Sequence, residues 1–356
     1  LGILTKSCNP PPASRLERWA LQAAARDILK GERVGICFRR PLPNTRTVDI
    51  HHTPSKDSYH YANLMICGSV WTCPVCASKI TEKRRYELST GVKGWQSSGG
   101  GVLLLTLTVP HYAHNSLHRV LNGITDARRR LLNRKPWKRL SVSLGIVGEI
   151  RATEVTHGTN GWHPHYHVLL FLRDALTKSA IVSAESMILE QWKSACTASG
   201  LPEPNQHGVS LEDGSKAASY ASKWGLEHEM TKGHVKKGRE GGKTPFDLLR
   251  DHLAGFPAAG VLFSEYAKAF KGKRQLVWSN GLRDLLALGE EKTDEELAHT
   301  HNQDADLFAE ISLDLWRVIL SKNLRGEILE VCRQGLDSFH DYLIDLAENA
   351  GMIADS

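Results

Sequence analysis

The sequence predicts an α+β protein with a zinc-binding, cysteine-rich segment near the N-terminus and a helical module at the C-terminus. Two strand-like stretches, 143–156 and 161–172, flank a short connection rich in glycine and predict an antiparallel hairpin. Segments of helical period lie before and after this hairpin. Four cysteines between residues 37 and 76 predict the N-terminal metal-binding segment.

The pattern of apolar residues, glycines and prolines predicts the remaining elements. Before the hairpin these are an amphipathic helix over 14–30, a region of little regular period over 31–80, a basic helix over 79–96, a buried strand over 102–109 that Pro110 ends, and a helix over 115–135. After it come a helix over 177–196, a short strand over 209–211, a helix over 215–226, a basic loop over 231–243, helices near 245–254 and 260–270, a charged linker over 285–301, and two or three helices over 305–349. We expect four domains: 1–34, 35–98, 99–284 and 285–356.

Composition and charge limit the class of protein. Among 356 residues, 41% are hydrophobic and 24% charged, as in ordinary globular proteins. The longest apolar stretch, 102–109, is too short to cross a bilayer, and no charged-then-apolar leader opens the chain. We therefore expect a cytoplasmic protein without membrane contact.

The positive charge is concentrated in the first 284 residues. Residues 285–356 hold 16 acidic and 5 basic side chains, so the preceding chain holds 40 basic and 23 acidic ones. This excess of positive charge in residues 1–284 predicts a nucleic-acid partner, because phosphates attract clustered lysine and arginine. Scattered solubilising lysines are the alternative, but the basic side chains form runs. The DNA-binding candidates are Arg84, Arg85, Arg128, Arg129, Lys138, Arg139, Lys236, Lys237, Lys273 and Arg274.

The second strand of the hairpin carries three alternating histidines, in the order Trp-His-Pro-His-Tyr-His. Because successive side chains of a strand point to opposite faces, His163, His165 and His167 share one face. Two imidazoles at i and i+2 can close on one cation, since a metal–nitrogen bond is only about 2.0–2.1 Å. A polar sheet face whose histidines only hydrogen-bond is the alternative. Three histidines in five positions of an otherwise apolar strand favour a metal site.

Hairpin geometry nominates a third ligand. Glu154 lies just before the turn on the first strand, where antiparallel pairing brings it opposite the histidines. Glu149 is the second choice, because it lies farther from the turn. Two imidazoles with one carboxylate suit Mg²⁺ or Mn²⁺. A surface glutamate with no ligand role is the alternative for both residues.

The cysteines predict structural zinc. Cys73 and Cys76 have the spacing of a metal knuckle, Cys67 precedes them, and Cys37 is the expected fourth ligand. His51, His52 or His60 are alternatives to Cys37. A redox pair is the other interpretation of the knuckle, but no thioredoxin-like pattern surrounds it. Cys8, Cys196 and Cys332 have no predicted role.

One predicted helix carries a tyrosine between two lysines. Lys216, Tyr220 and Lys223 are spaced to share one helical face. A free phenol has a pKa of about 10 and is a poor nucleophile at neutral pH, whereas flanking ammonium groups favour the phenolate and attract phosphate. An ordinary half-buried aromatic residue is the alternative if this helix is considered by itself.

Three segments in this order resemble the motifs of the HUH endonucleases, in particular the plasmid rolling-circle replication initiators. They are Leu105-Thr-Leu-Thr108 with Pro110-His111, Glu154 with His163-Pro-His-Tyr-His167, and Tyr220-Ala-Ser-Lys223. A fourth similarity covers Gly272-Lys-Arg-Gln and Trp278-Ser-Asn-Gly-Leu282. The resemblance extends over roughly residues 35–283.

The resemblance implies a nickase domain over 99–284 built on a compact antiparallel sheet flanked by helices. It implies that His165, His167 and Glu154 hold a divalent ion, and that Tyr220 attacks a phosphodiester at the replication origin. A covalent 5′-phosphotyrosine and a priming 3′-hydroxyl would result. Lys223 would orient the tyrosine or the phosphate, with accessory roles for His163, Lys216, Thr108 and His111.

The resemblance also implies partners and leaves alternatives open. The partners are single-stranded or supercoiled origin DNA, and the host helicase and replication machinery. Some relatives carry a second tyrosine or a glutamate one turn before the nucleophile, where this chain has Lys216. Termination by Glu212, Glu227 or a second subunit's tyrosine is therefore open, as is the oligomeric state. An HUH transposase, a non-cleaving DNA-binding regulator and a small-substrate metallohydrolase are the alternative functions.

Overall fold

The structure is a computed structural model that describes residues 12–214, 242–299 and 304–352, with side chains from residue 16 onward. It divides into two compact units, a terminal unit (1–79 with 293–356) and a central unit (80–292). The sequence-based division after residues 34, 98 and 284 stays a prediction. The terminal unit contains both the N-terminal and the C-terminal segments.

The central unit contains a five-stranded antiparallel sheet and the helices around it. Its elements are the part of α2 (Pro74–Ser97) from residue 80 on, β3 (Gly101–Leu107), α3 (Leu117–Asn133), α4 (Lys135–Ser143), β4 (Ile146–Gly158), β5 (Gly161–Leu172), α5 (Lys178–Ala198), β6 (Val209–Asp213), α6 (Pro245–Leu253), α7 (Pro257–Phe270), β7 (Leu276–Trp278) and α8 (Leu282–Leu285). The strand order is β6-β3-β5-β4-β7, so the histidine strand β5 is central. A mixed α/β fold with antiparallel strands is thereby confirmed.

The β4–β5 hairpin is the longest pairing of the sheet. It runs from Ile146 opposite Leu172 to Gly158 opposite Gly161, and two residues form the turn. Gly161 has a φ of +84°, and a Cβ there would come within 3.0 Å of the Ala113 Cα. Glycine is therefore required at this turn for both backbone conformation and space.

Helices cover both faces of the sheet. On the histidine face, Leu88 and Val92 of α2 pack with Leu169 and Phe171 of β5 in one apolar cluster. On the opposite face, Thr125 of α3 hydrogen-bonds the Tyr166 hydroxyl at 2.9 Å. The apolar half of β5 is thus buried on both sides, as its continuous Val-Leu-Leu-Phe-Leu sequence predicts.

The terminal unit contains a second antiparallel sheet, of order β2-β1-β8. Its elements are α1 (Pro12–Ile28), β1 (Thr47–Thr53), β2 (Ser58–Ala62), the first turn of α2, α9 (Asp294–His299), β8 (Asp306–Ser312), α10 (Leu313–Ser321), α11 (Arg325–Val331) and α12 (Leu336–Glu348). Strands β1 and β2 lie in the region where the sequence showed little regular period.

The prediction that 305–349 is entirely helical is wrong for Asp306–Ser312. This segment is β8, which pairs antiparallel with β1, for example Ile311 with Val48. Pairing with a distant strand outweighs the local helical pattern, because β8 completes a sheet that buries Ile311 and Val48. Within the segment expected to be a charged linker, residues 294–299 form the short helix α9.

None of the described helices combines the length and apolar character that a membrane crossing requires.

Candidate active site and metal centres

Glu154, His165 and His167 lie together on one face of the β4–β5 hairpin. Glu154 is the direct cross-strand partner of His165. One carboxylate oxygen, Oε2, lies 3.3 Å from Nε2 of His165 and 3.5 Å from Nε2 of His167. Ligand atoms each about 2.1 Å from a shared ion are about 3.0–3.4 Å apart, so this spacing fits a metal. All three side chains are half-buried.

The other ring nitrogen of each histidine has a hydrogen-bond partner. Nδ1 of His167 lies 3.0 Å from Oγ1 of Thr106 on β3, and Nδ1 of His165 lies 3.3 Å from the backbone oxygen of His163. Each of these oxygens can accept a proton from Nδ1, and in that tautomer Nε2 of both rings is free to bind a metal. The donor set and its orientation therefore fit a divalent ion.

The charge of Glu154 is set by its neighbours. Burial favours the neutral acid, but hydrogen bonds from His165 and His167 outweigh it and hold the pKa of Glu154 well below its usual range. The residue is thus a carboxylate at neutral pH, the form in which it can bind a cation.

We expect that Thr106→Val weakens metal binding about 10–100-fold, because the His167 ring loses the oxygen that orients it. Valine has the shape of threonine and suits a strand, so the fold is retained. Titration of the protein with Mn²⁺, followed by the electron paramagnetic resonance of free Mn²⁺, measures the change.

Thr106→Ser keeps the hydroxyl and should restore affinity. Thr125→Val is the matched control, since it removes a threonine hydrogen bond to Tyr166 on the opposite face. Equal affinity in Thr106→Val and the wild type would contradict an orienting role.

Two further histidines extend the row of rings beyond the metal-binding group. His163 lies 5.1 Å from the His165 ring, and His111 stacks on His163 at 4.5 Å and 15°. Burial, together with the neighbouring His165 and His111, lowers the pKa of His163 to about 3. His163 is therefore neutral at physiological pH and able to donate or accept a hydrogen bond beside the site. The hydroxyl of Thr108, for which an accessory role was predicted, donates to the backbone oxygen of His207.

Glu149 lies on the opposite face of β4 from Glu154, because five positions separate them on a strand. It forms an ion pair with Arg128 of α3, and both side chains are largely buried. The structure therefore brings Glu154, and not Glu149, to the histidines.

The four predicted cysteine ligands form one buried cluster in the terminal unit. Sγ of Cys37 lies 3.4 Å from that of Cys76 and 3.7 Å from that of Cys73, and Cys67 Sγ lies 3.6 Å from Cys76 Sγ. Ligands at a zinc–sulfur distance of about 2.3 Å in a tetrahedron are about 3.8 Å apart, so the cluster fits zinc. His51 and His60, which were alternatives to Cys37 as a ligand, are cross-strand partners in the pairing of β1 with β2.

Replacing Cys73 by Ser is expected to abolish zinc binding and to lower the midpoint of thermal unfolding by about 10 °C or more, because structural zinc contributes on the order of 10 kcal/mol in small zinc domains. Metal content by mass spectrometry and a melting curve test this. Cys332→Ala is the control, because Cys332 is a buried cysteine of the same unit outside the cluster. Full zinc occupancy in Cys73→Ser would contradict the assignment.

The predicted DNA-binding residues differ in exposure. Arg84 is buried, and its guanidinium donates to Gln275. Arg85 pairs with Glu82, and Arg129 pairs with Asp126. The remaining described candidates on α4 and before β7 are half-buried or exposed: Lys138, Arg139, Lys273 and Arg274.

Several predicted residues lie outside the described part of the chain. They are Cys8, Lys216, Tyr220, Lys223, Glu227, Lys236 and Lys237. The described residues that sequence reasoning missed are Thr106 and Arg325. Thr106 could have been found from its position in the Leu-Thr-Leu-Thr segment, had the pairing of β3 with β5 been known. For Arg325 no sequence signal marks its contacts with distant segments.

The chain is similar in sequence to known proteins over much of its length. The sequence profile of the family described as "Replication protein" matches residues 60–321, which include both metal-ligand groups apart from Cys37. A protein of Streptomyces lividans described as "Protein rep" is 28% identical over 63% of this chain and 64% of its own length.

Shorter matches are found in other bacteria. The "Neomycin resistance protein" of Streptomyces cyanogenus is 31% identical over 31% of this chain and 31% of its own length. A "Protein rep" of Streptococcus pneumoniae is 30% identical over 30% of this chain and 33% of its own length. The chain thus matches less than two thirds of the length of each of these relatives. No solved structure matches significantly.

Proposed function

Because the chain belongs to the replication protein family, we propose that it initiates rolling-circle replication of a plasmid by nicking one strand of its origin. The reaction is a metal-dependent strand transfer through a covalent 5′-phosphotyrosine at Tyr220. The host helicase and replication machinery would then extend the free 3′-end.

The observation that supports this function best is the Glu154–His165–His167 group on the central strand. Its Nε2 atoms converge on one carboxylate oxygen at 3.3 and 3.5 Å, and their Nδ1 atoms have oxygen partners. Such an arrangement suits Mg²⁺ or Mn²⁺, which when bound would polarise the scissile phosphate and stabilise negative charge in the transition state. The site is half-buried, so a nucleic-acid strand can approach it.

In the proposed reaction, the Tyr220 oxygen forms a bond to phosphorus as the bond from phosphorus to the 3′-oxygen breaks. The phenol gives up its proton, and the departing 3′-oxygen gains one, so the products are a phosphotyrosine diester and a free 3′-hydroxyl. Lys223 would pair with the phosphate or favour the phenolate. The covalent bond conserves the energy of the broken linkage for rejoining.

The remaining features fit a DNA substrate. The basic body of the chain supplies sequence-independent attraction to phosphates. We assign a structural Zn²⁺ to Cys37, Cys67, Cys73 and Cys76, because thiolates in closed tetrahedral geometry prefer this ion.

The test is incubation of the full chain and Mn²⁺ with supercoiled circles that carry the DNA flanking its coding sequence. We expect nicked circles with the protein attached to the 5′-end, and none when a chelator is present. A DNA-binding regulator would shift the mobility of the circle and leave it closed, which would overturn the proposal. A transposase would cut at the ends of a mobile element and join them to a new target.

A further inference from the structure

Arg325 is a buried arginine of the C-terminal segment that lies beside the four-cysteine cluster. It is 1% exposed, at the start of α11. Its Nη1 donates to Oε1 of Gln22 at 2.7 Å and to the backbone oxygens of Phe38 and Cys37 at 3.2 and 3.4 Å. Gln22 in turn donates from Nε2 to Sγ of Cys73 at 3.2 Å. One glutamine side chain therefore connects the guanidinium to a ligand sulfur.

The other groups near this guanidinium include an aromatic ring and a second arginine, Arg39. The Arg325 guanidinium lies 4.8 Å from the centre of the Trp19 ring, and the backbone oxygen of Arg325 accepts from the Tyr61 hydroxyl. Within the described chain, Arg325 has no ion pair with a carboxylate, and its Nε has no hydrogen-bond partner. An arginine guanidinium stays protonated in proteins, so Arg325 is charged at neutral pH. A buried charge of this kind requires compensation from another source.

A metal-loaded cysteine cluster supplies that compensation. Four thiolates around one divalent ion carry two net negative charges. Arg325 offers one positive charge, and half-buried Lys79 offers another from the first turn of α2, where its Nζ lies 4.9 Å from the Phe38 ring. Burial lowers the pKa of Lys79, and the cysteines of the cluster oppose this shift. Both cations lie where the negative charge of a tetrathiolate centre would stabilise them.

The partners of Arg325 also exclude a merely local role. A residue that only stabilised α11 would bond to neighbouring residues of the C-terminal segment. The Arg325 guanidinium instead bonds to Gln22, Cys37 and Phe38, all far away in sequence. A second contact of the same kind joins Trp316 Nε1 to the backbone oxygen of Arg39, two residues after Cys37.

We propose that Arg325 is a positioning residue for the four-cysteine metal centre. Its charge balances the tetrathiolate, and its hydrogen bonds hold the Cys37 backbone and, through Gln22, the Cys73 sulfur. Retention of the ion thus depends on the C-terminal segment. This inference rests on the zinc binding proposed above and is independent of the nicking reaction.

The test uses the full-length, zinc-loaded chain with Arg325→Met, Arg325→Lys and Arg333→Met. Release of zinc to an excess of a colorimetric chelator should be about 10–100-fold faster for Arg325→Met, the usual effect of losing a group that supports a metal ligand. Arg325→Lys retains the charge and should release zinc at an intermediate rate. Arg333 pairs with exposed Asp57 in the same unit, so Arg333→Met should match the wild type.

Cobalt substitution adds a readout that a purely structural role would not change. The thiolate-to-cobalt charge-transfer bands should shift in Arg325→Met, because the sulfurs lose a nearby positive charge, and should remain unchanged in Arg333→Met. If Arg325→Met does not fold, Arg325→Lys and Lys79→Met are compared with the wild type, and faster release in both is expected.

The outcomes separate this inference from the proposal on which it rests. A wild-type chain without bound metal would overturn the zinc assignment and this inference together. A zinc-loaded wild type whose Arg325→Met variant releases zinc at the wild-type rate would overturn this inference only. If Arg325→Met does not fold, release of zinc at the wild-type rate from both Arg325→Lys and Lys79→Met would overturn this inference only.

Discussion

Tyr220→Phe is expected to abolish the covalent protein–DNA adduct and to reduce nicking by at least about 10³-fold, because the substitution removes the attacking oxygen. DNA affinity should change little, since one lost hydroxyl contributes about 1 kcal/mol or less to binding. An oligonucleotide labelled at both ends, which spans the origin nick, reports the adduct and the free 3′-fragment separately.

Tyr86→Phe is the matched control for this experiment. Tyr86 is 73% exposed on α2, so its phenol is accessible to DNA without belonging to any proposed site. The control should form the adduct at the wild-type rate. An undiminished adduct in Tyr220→Phe would move the nucleophile to another residue while leaving a covalent mechanism intact.

Glu154→Gln should weaken Mn²⁺ binding by more than about 100-fold, because it removes a ligand itself, whereas losing a group that only supports a ligand typically costs 10–100-fold. Nicking at a fixed Mn²⁺ concentration should fall with it, and a large excess of Mn²⁺ should restore part of the rate. Free Mn²⁺ measured by electron paramagnetic resonance gives the affinity without reference to activity.

Glu149→Gln provides the same change of side chain on the same strand but on the opposite face. It breaks the ion pair with Arg128 and should lower the melting temperature, because a largely buried arginine loses its partner. Its Mn²⁺ affinity should equal that of the wild type. Reversed effects of the two substitutions would mean that Glu149 is the ligand.

Much of the secondary structure follows from the sequence because its causes are local. Ser116 and Thr177 cap α3 and α5 with their side chains, and the apolar residues that follow have helical spacing. Pro110 comes shortly after β3, and glycines flank the β4–β5 turn. These signals act over a few residues, so the elements predicted within the described part of the central unit agree with the structure to within a few residues. The helix predicted over 215–226 and most of the loop over 231–243 lie outside the described residues, and α4, β7 and α8 were not predicted.

Elements that depend on distant partners could not be predicted in the same way. Asp306–Ser312 becomes a strand only because β1, more than 250 residues earlier, offers an edge to pair with. The exposure of the basic residues also depends on distant segments. Arg128 was predicted to bind DNA, yet in the structure it forms an ion pair with Glu149 of β4.

The sequence by itself determined which residues of the candidate site can share a face. Alternation along β5 puts three histidines on one side, and the short turn fixes the register that pairs Glu154 with His165, since a slip of one residue would turn each side chain away. Only the tertiary structure decided which groups support them. Thr106 reaches His167 because β3 pairs with β5, and Arg325 reaches the cysteine cluster because the C-terminal segment folds onto the N-terminal one. Such contacts join segments far apart in the chain, and no local period encodes them.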